Sequence, residues 1–184
     1  MRNKKIVCLY GGPGCGKSTT CAGLFYKLKI LGFECEMNRE VIKEWVWENR
    51  SPKDGDQSYF FAKMARRERI YMDNELDFII TDSPLILCHF YGLKFDKFEQ
   101  MTNTSLSMLK AHHAYAISKG YKTDHFLIKR TKPYSQAGRY QTEEQAREID
   151  CEVEGMLNSM NIKFTPVNGG ENCVNEILGH LGQA

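Results

Sequence analysis

The chain has 184 residues, with 25 lysines and arginines against 23 aspartates and glutamates, a formal charge of +2 and a pI near 8.1. That length predicts a single domain over residues 1–184, enough to bury about 70 % of the unfolded surface; the near-balanced charge excludes the strongly basic footprint of a dedicated nucleic-acid binder while allowing nucleic acid as a substrate. Seven cysteines, Cys8, Cys15, Cys21, Cys35, Cys88, Cys151 and Cys173, include no Cys-x-x-Cys pair, which argues against a disulfide framework or a zinc site and fits a reducing cytoplasm.

Met1 to Lys5 leads directly into an apolar run over residues 5–10, with no separate signal-peptide core, and no apolar stretch approaches the roughly 18 residues of a membrane span. Residues 5–10 have the length of a buried strand, and residues 20–30 have helical periodicity. Between them lies Gly11-Gly12-Pro13-Gly14-Cys15-Gly16-Lys17-Ser18-Thr19, the P-loop signature in its required strand-loop-helix setting. Glycines at 11, 14 and 16 permit positive φ and leave no Cβ between backbone amides and an anion. Gly12 to Thr19 are therefore candidate nucleotide-binding residues, with Lys17 for the β and γ phosphates and the Ser18 hydroxyl for a magnesium shell.

Gly32 reads as a helix stop, residues 33–37 as a second strand, and Asn38 as the N-cap of a helix over 39–48. Arg39 and Glu40 then stand just past a strand's carboxyl end, where open α/β sheets place ligand groups; the competing reading is a first-turn acid beside a solvated arginine. Trp45 and Trp47, two apart, cannot share a helix face, so one packs while the other remains available. Residues 49–56, with Ser51-Pro52 and Asp54-Gly55, read as a loop. A helix over 57–74 carries Tyr59, Phe60, Met64 and Ile70 among Arg66, Arg67 and Arg69. Arg39, Trp45 and Tyr59 are candidates to grip a base and a phosphate, against the plainer reading of a core stripe with a basic solvated face.

Residues 77–81 form a third apolar strand ending in Asp82-Ser83-Pro84. An acid at this position in a P-loop protein is where the magnesium-organising carboxylate belongs, and the proline turns the chain away. Residues 85–91 are a short apolar element, 95–103 irregular or helical, and 104–119 a helix stopped by Gly120. His112 and His113 have no third ligand nearby in sequence and read as packed or exposed rather than metal-binding. Residues 122–129 are a fourth strand.

The segment over 130–142 combines Arg130, Lys132 and Arg139 with loop formers and enters the next helix through Thr142, with Glu143 and Glu144 in the first turn and Gln145 placed to complete a capping box. A mobile basic lid of this kind can close over ATP, exclude water and neutralise phosphoryl charge through Arg130 and Arg139. Residues 143–160 are an amphipathic helix, 163–167 a fifth strand, 168–170 a turn and 171–181 the closing helix. There is no internal repeat, low-complexity segment or interdomain linker.

Alternating strands and helices predict an α/β architecture, a parallel sheet with helices on both faces and right-handed crossovers. The crevice at the strands' carboxyl ends then gathers the P-loop, Arg39, Glu40, Asp82 and the 130–142 loop.

The P-loop, Asp82-Ser83-Pro84 after the third strand, and Gly138-Arg139-Tyr140 before an acidic helix resemble the nucleoside and nucleotide kinase branch of P-loop proteins, and in particular its phage-encoded and NadR-like ATPase/kinase group. The resemblance spans nearly the whole chain. It implies the P-loop NTPase fold with a five-stranded sheet ordered 2-3-1-4-5, an arginine-bearing lid, and ATP and Mg2+ as cofactors. Ser83 stands where many nucleotide kinases have an arginine. Some phage members resemble enzymes that phosphorylate a hydroxymethylpyrimidine already in DNA. What the resemblance implies is an ATP-dependent kinase acting on a hydroxyl of a nucleoside, a nucleotide or such a modified base, in the cytoplasm, that of the host if phage-encoded, with no membrane partner. Lys17, Arg130 and Arg139 would stabilise phosphoryl charge, Ser18 and Asp82 would organise magnesium, and either Asp82 or Glu40 would serve the acceptor hydroxyl. The alternative is an ATPase or nucleotide-dependent switch acting on a protein partner, which needs the same P-loop and acid. Oligomeric state and the choice between ATP and GTP are left open.

Overall fold

The computed structural model describes residues 4–96 and 99–183, without the side chains of 99–102. In chain order the elements are β1 (Lys5–Tyr10), α1 (Lys17–Ile30), β2 (Cys35–Asn38), α2 (Ile42–Trp47), α3 (Asp56–Asp73), β3 (Phe78–Thr81), α4 (Ile86–Phe95), α5 (Glu99–Ser118), β4 (Lys122–Lys129), α6 (Glu143–Ser159), β5 (Thr165–Asn168) and α7 (Cys173–Leu181). The five strands form one sheet in the order β2-β3-β1-β4-β5, and every pairing is parallel. This is the sheet order of P-loop kinases, with β1 at the centre because the chain first moves to one side of it and then returns to the other.

The period-two alternation of β1 divides the core. Val7 and Leu9 face one layer with Leu24 and Leu28 of α1 and Ile177 and Leu181 of α7. Ile6, Cys8 and Tyr10 face the other, against Ile149, Val153 and Leu157 of α6 and Ile86 and Phe90 of α4. Both faces of β1 are thus covered by helices, which is why its sequence is a continuous apolar run rather than an alternating one. A smaller cluster, Val41, Phe60, Phe61, Met64, Leu85 and Cys88, joins α3 and α4 beside the strands' carboxyl ends.

Several boundaries follow from local signals. Gly32, at φ 83, closes α1, with the Phe33 amide donating to the Leu28 carbonyl at 3.0 Å. Thr142 accepts from the Gln145 amide while the Gln145 side chain accepts from the Thr142 amide, the reciprocal capping box.

The strand β2 departs from expectation. Asn38 is not a helix N-cap: it is the last residue of β2, fully buried, and α2 starts only at Ile42. Its Nδ2 donates to the Met64 carbonyl at 3.1 Å and to Glu68 Oε1 at 3.0 Å, and Glu68 Oε2 lies 2.7 Å from His112 Nε2. A polar pair across α3 and α5 thus takes Asn38 inward, where the sequence pattern indicated only a cap. The same contacts make His112 a packed histidine, and the described residues hold no group of three or more His, Cys, Asp or Glu arranged for a metal. The expected boundary region over 95–103 includes residues 97 and 98, which lie outside the described residues. All seven cysteines are free, and among the described residues no helix is long and apolar enough to cross a membrane.

Candidate active site

The P-loop runs from the end of β1 into α1. Gly14 and Gly16 have φ of 79 and 110, and Gly16 is the residue from which α1 departs. Alternation of left-handed glycines with ordinary residues turns successive amides toward one concavity, and the helix start adds its own free amides and positive dipole end. The first turn of α1 contains no acid to compete with an anion. This backbone fits a polyphosphate. Lys17 Nζ donates to the Gly11 and Gly12 carbonyls at 2.7 and 2.9 Å, bonds that an arriving phosphate oxygen can replace.

Gly12 serves a different purpose. A Cβ there would stand 2.5 Å from the Ala146 carbonyl oxygen and 2.6 Å from Asp150 Oδ1, so the P-loop lies directly against α6. Gly12→Ala is expected to destabilise the protein by about 1–3 kcal/mol, the range for overpacking against backbone that cannot withdraw, read as a fall in denaturant midpoint; an unchanged midpoint would mean that α6 yields freely.

A cleft of about 710 Å3 opens beside the P-loop. It is lined by Gly14, Gly16, Lys17, Ser18 and Thr19 of the P-loop and the start of α1, by Arg139 of the 130–142 segment, and by Val46, Phe60, Met64, Leu87 and Tyr91, with Gln57 among them. Glu40 and Ser83 also line it. Asp82 is buried and does not line the cleft, and its Oδ1 accepts from the Glu40 amide at 2.9 Å. The strand-end acids of β2 and β3 are therefore linked: the β3 carboxylate fixes the backbone from which Glu40 projects. Burial pushes the Glu40 carboxyl above its ordinary value; Lys17 opposes that shift, Asp82 adds to it, and Lys43 and Arg139 oppose it again. Burial likewise raises the Cys88 thiol to about 12, so this cysteine is an apolar wall group.

The sequence candidates separate on this geometry. Pro13, Gly14, Gly16, Lys17, Ser18, Thr19, Glu40 and Arg139 line the cleft, whereas Gly12, Cys15, Arg39, Trp45, Tyr59, Asp82 and Arg130 do not. Arg39 is exposed, and its carbonyl accepts from Arg67 Nη1 at 3.0 Å. Trp45 stacks on Tyr59 at 5.9 Å between ring centres, meets Phe60 edge-on at 4.8 Å and is capped by the Arg50 guanidinium at 3.9 Å. Both rings of the Trp45–Tyr59 pair thus pack on Phe60, which lines the cleft, and support its wall. Trp47 is 65 % exposed, and lid residue Gly138 packs beside its ring, where a Cβ would come within 3.1 Å.

Arg130 is not the mobile lid cation that the loop composition implies. Its side chain is 5 % exposed and forms a double contact with Asp150, Nε to Oδ2 at 2.7 Å and Nη2 to Oδ1 at 3.1 Å. Arg139 remains at the cleft, its Nη1 donating to the Ser135 and Ala137 carbonyls within the lid. Sequence reasoning missed Asp150, although a signal exists: it falls on the buried stripe of α6 with Ala146, Ile149 and Val153, where an acid needs a partner.

Comparison with known proteins agrees with this geometry. The AAA domain family matches residues 6–172. A Thermoplasma volcanium protein described as "Putative adenylate kinase" is 44 % identical over 41 residues, a stretch covering 22 % of this chain and 24 % of that protein. Among solved structures, deoxyadenosine kinase from M. mycoides with the products dCMP and dCDP superposes with a TM-score of 0.56 at 18 % identity, over 98 % of this chain and 100 % of that one. NadR in complex with NR gives 0.65 at 14 % identity, over 99 % of this chain but only 51 % of that one. A P-loop shaped for an anion, a 2-3-1-4-5 parallel sheet and a match over most of the length coincide. The chain belongs to the AAA domain family and has a kinase-like P-loop fold.

Proposed function

We propose that this protein is an ATP-dependent kinase that transfers the γ-phosphoryl group to a hydroxyl of a nucleoside, a nucleotide or a modified pyrimidine, with a base in DNA as one form of that acceptor. The observation that carries this reading is that one cleft is lined both by the P-loop residues with Glu40 and by Phe60, Met64, Leu87 and Tyr91. A hydrolase or nucleotide switch needs only the P-loop part of it. Aromatic and aliphatic side chains in the same cleft, with Gln57 among them, suit a flat heterocycle beside the phosphoryl donor. The M. mycoides kinase of similar fold, solved with dCMP and dCDP and also with dATP, supports the same class of ligands.

In the proposed reaction a bond forms between the acceptor oxygen and the γ-phosphorus as the bond from that phosphorus to the β-bridging oxygen breaks, releasing ADP. The acceptor hydroxyl proton passes to Glu40, a carboxylate that lines the cleft together with Lys17 and Ser18. Lys17 and Arg139 neutralise charge on the phosphoryl oxygens. Asp82 holds the Glu40 backbone. Ser18, which lines the cleft, and Asp82, which is buried beside Glu40 and would act through water, are the side chains that would hold a magnesium ion, and such an ion would supply charge neutralisation at the transferring group. Incubation with γ-labelled ATP and a panel of nucleosides, mononucleotides and DNA containing hydroxymethylpyrimidines should place label in one acceptor class. Label appearing only as free phosphate would replace the kinase reading with the ATPase alternative.

A further inference from the structure

Asp150 lies outside the cleft and takes no part in the proposed chemistry, yet it joins three separate pieces of the site. Its Oδ1 accepts from the Gly12 amide at 2.6 Å, in the first half of the P-loop. Both its oxygens receive Arg130, the first residue after β4 and the root of the lid. It stands on α6, the helix into which the other end of the lid feeds through the Thr142 cap. Arg130 extends the connection, with Nη2 donating to the Pro13 carbonyl at 2.8 Å and to the Ala146 carbonyl at 3.4 Å. Tyr134 completes the frame: its ring lies where a Gly14 Cβ would come within 3.0 Å, and its hydroxyl donates to the Gln141 carbonyl at 2.5 Å near the lid's far end.

We propose that Asp150 is a positioning residue for ATP: through the Gly12 amide and the Arg130 guanidinium it sets the P-loop backbone in register with both ends of the lid. The inference rests on the P-loop binding ATP. The geometry favours it over a merely structural ion pair because the carboxylate is divided between a P-loop amide and a guanidinium that itself binds the P-loop at Pro13. Charge-assisted bonds to a partly buried carboxylate define direction as well as distance, so P-loop and lid root share one rigid reference. An amide committed to Asp150 is also one that does not face the phosphates, which leaves the nest to the residues from Gly14 onward.

The experiment is calorimetric titration of the full chain with ATP, beside thermal melting without nucleotide. Asp150→Asn makes the site more positive by one charge, so simple electrostatics predicts tighter ATP binding; the positioning role predicts binding weaker by about tenfold or more, the scale of losses when outer-shell partners are removed. The paired variant Arg130→Met with Asp150→Leu keeps net charge constant and leaves no buried charge unpaired. It should recover most of the melting temperature lost in Asp150→Asn while ATP affinity stays low. ATP affinity returning along with melting temperature, or Asp150→Asn binding ATP as well as the unmodified chain, would overturn the proposal. An unmodified chain that takes up no ATP would overturn both this inference and the kinase reading, whereas failure of the variants alone to weaken binding would leave the kinase reading standing.

Discussion

Lys17→Ala is expected to fold as the parent chain does and to lose ATP-dependent phosphotransfer by about 10³-fold or more, in line with the loss of preorganised charge at a transferring phosphoryl group. Folding should survive because the bonds of the ammonium, to the Gly11 and Gly12 carbonyls at 2.7 and 2.9 Å and to Cys15 Sγ at 4.0 Å, all go to groups of the P-loop itself and tie no other element to it. Transfer should not survive because the lysine is the cation placed directly in the P-loop concavity, and charge there acts through a medium less polarisable than bulk water. A melting curve matching the parent chain together with absent label transfer is the expected pair of results. Near-parental turnover would remove Lys17 from the mechanism.

Glu40→Gln has the second large effect, a fall in turnover of about 10²–10⁴-fold, the usual worth of a positioned general base. The substitution keeps the residue 40 amide and therefore the bond to Asp82, so lost activity would be attributable to the side chain. The pH dependence gives a further check. Burial raises the Glu40 carboxyl above its ordinary range, against the pull of Lys17. A base works only when deprotonated, so activity should decline as pH falls through that raised value, earlier than an ordinary carboxylate would require. The Glu40→Gln variant should show a low, flat rate over the same interval. An acid limb that persists unchanged in the variant would transfer the role of base elsewhere.

The different standing of Glu40 and Asp82 could not be seen in the chain order, where both are acids after strands. In three dimensions one carboxylate lines the cleft and the other holds its neighbour's backbone. Arg130 and Arg139 form a similar pair: both are cations of one loop by composition, but Arg130 is neutralised and buried by Asp150 while Arg139 stays at the cleft. Side chains of like type diverge in role because a partner distant in sequence meets one and not the other.

What the amino-acid sequence by itself determined was the set of features whose physics is local. Strand β1, the P-loop and α1 follow from an apolar run, glycine spacing and helical periodicity; β4 follows from its apolar centre; and the start of α6 follows from a capping box closed within four residues. The parallel α/β sheet was legible for the same reason, since strand-loop-helix order restricts it to few connections, while its 2-3-1-4-5 order and kinase-like character were what the resemblance carried by the P-loop, Asp82-Ser83-Pro84 and Gly138-Arg139-Tyr140 implied. Only the tertiary structure decided that Asn38 turns inward to Glu68, that Trp45 and Tyr59 support the cleft wall rather than line it, and that Asp150 accepts the Gly12 amide, 138 residues away. Each of those outcomes depends on a polar or aromatic group finding its partner on another element, and the requirement to satisfy such groups is set by packing, not by neighbours along the chain.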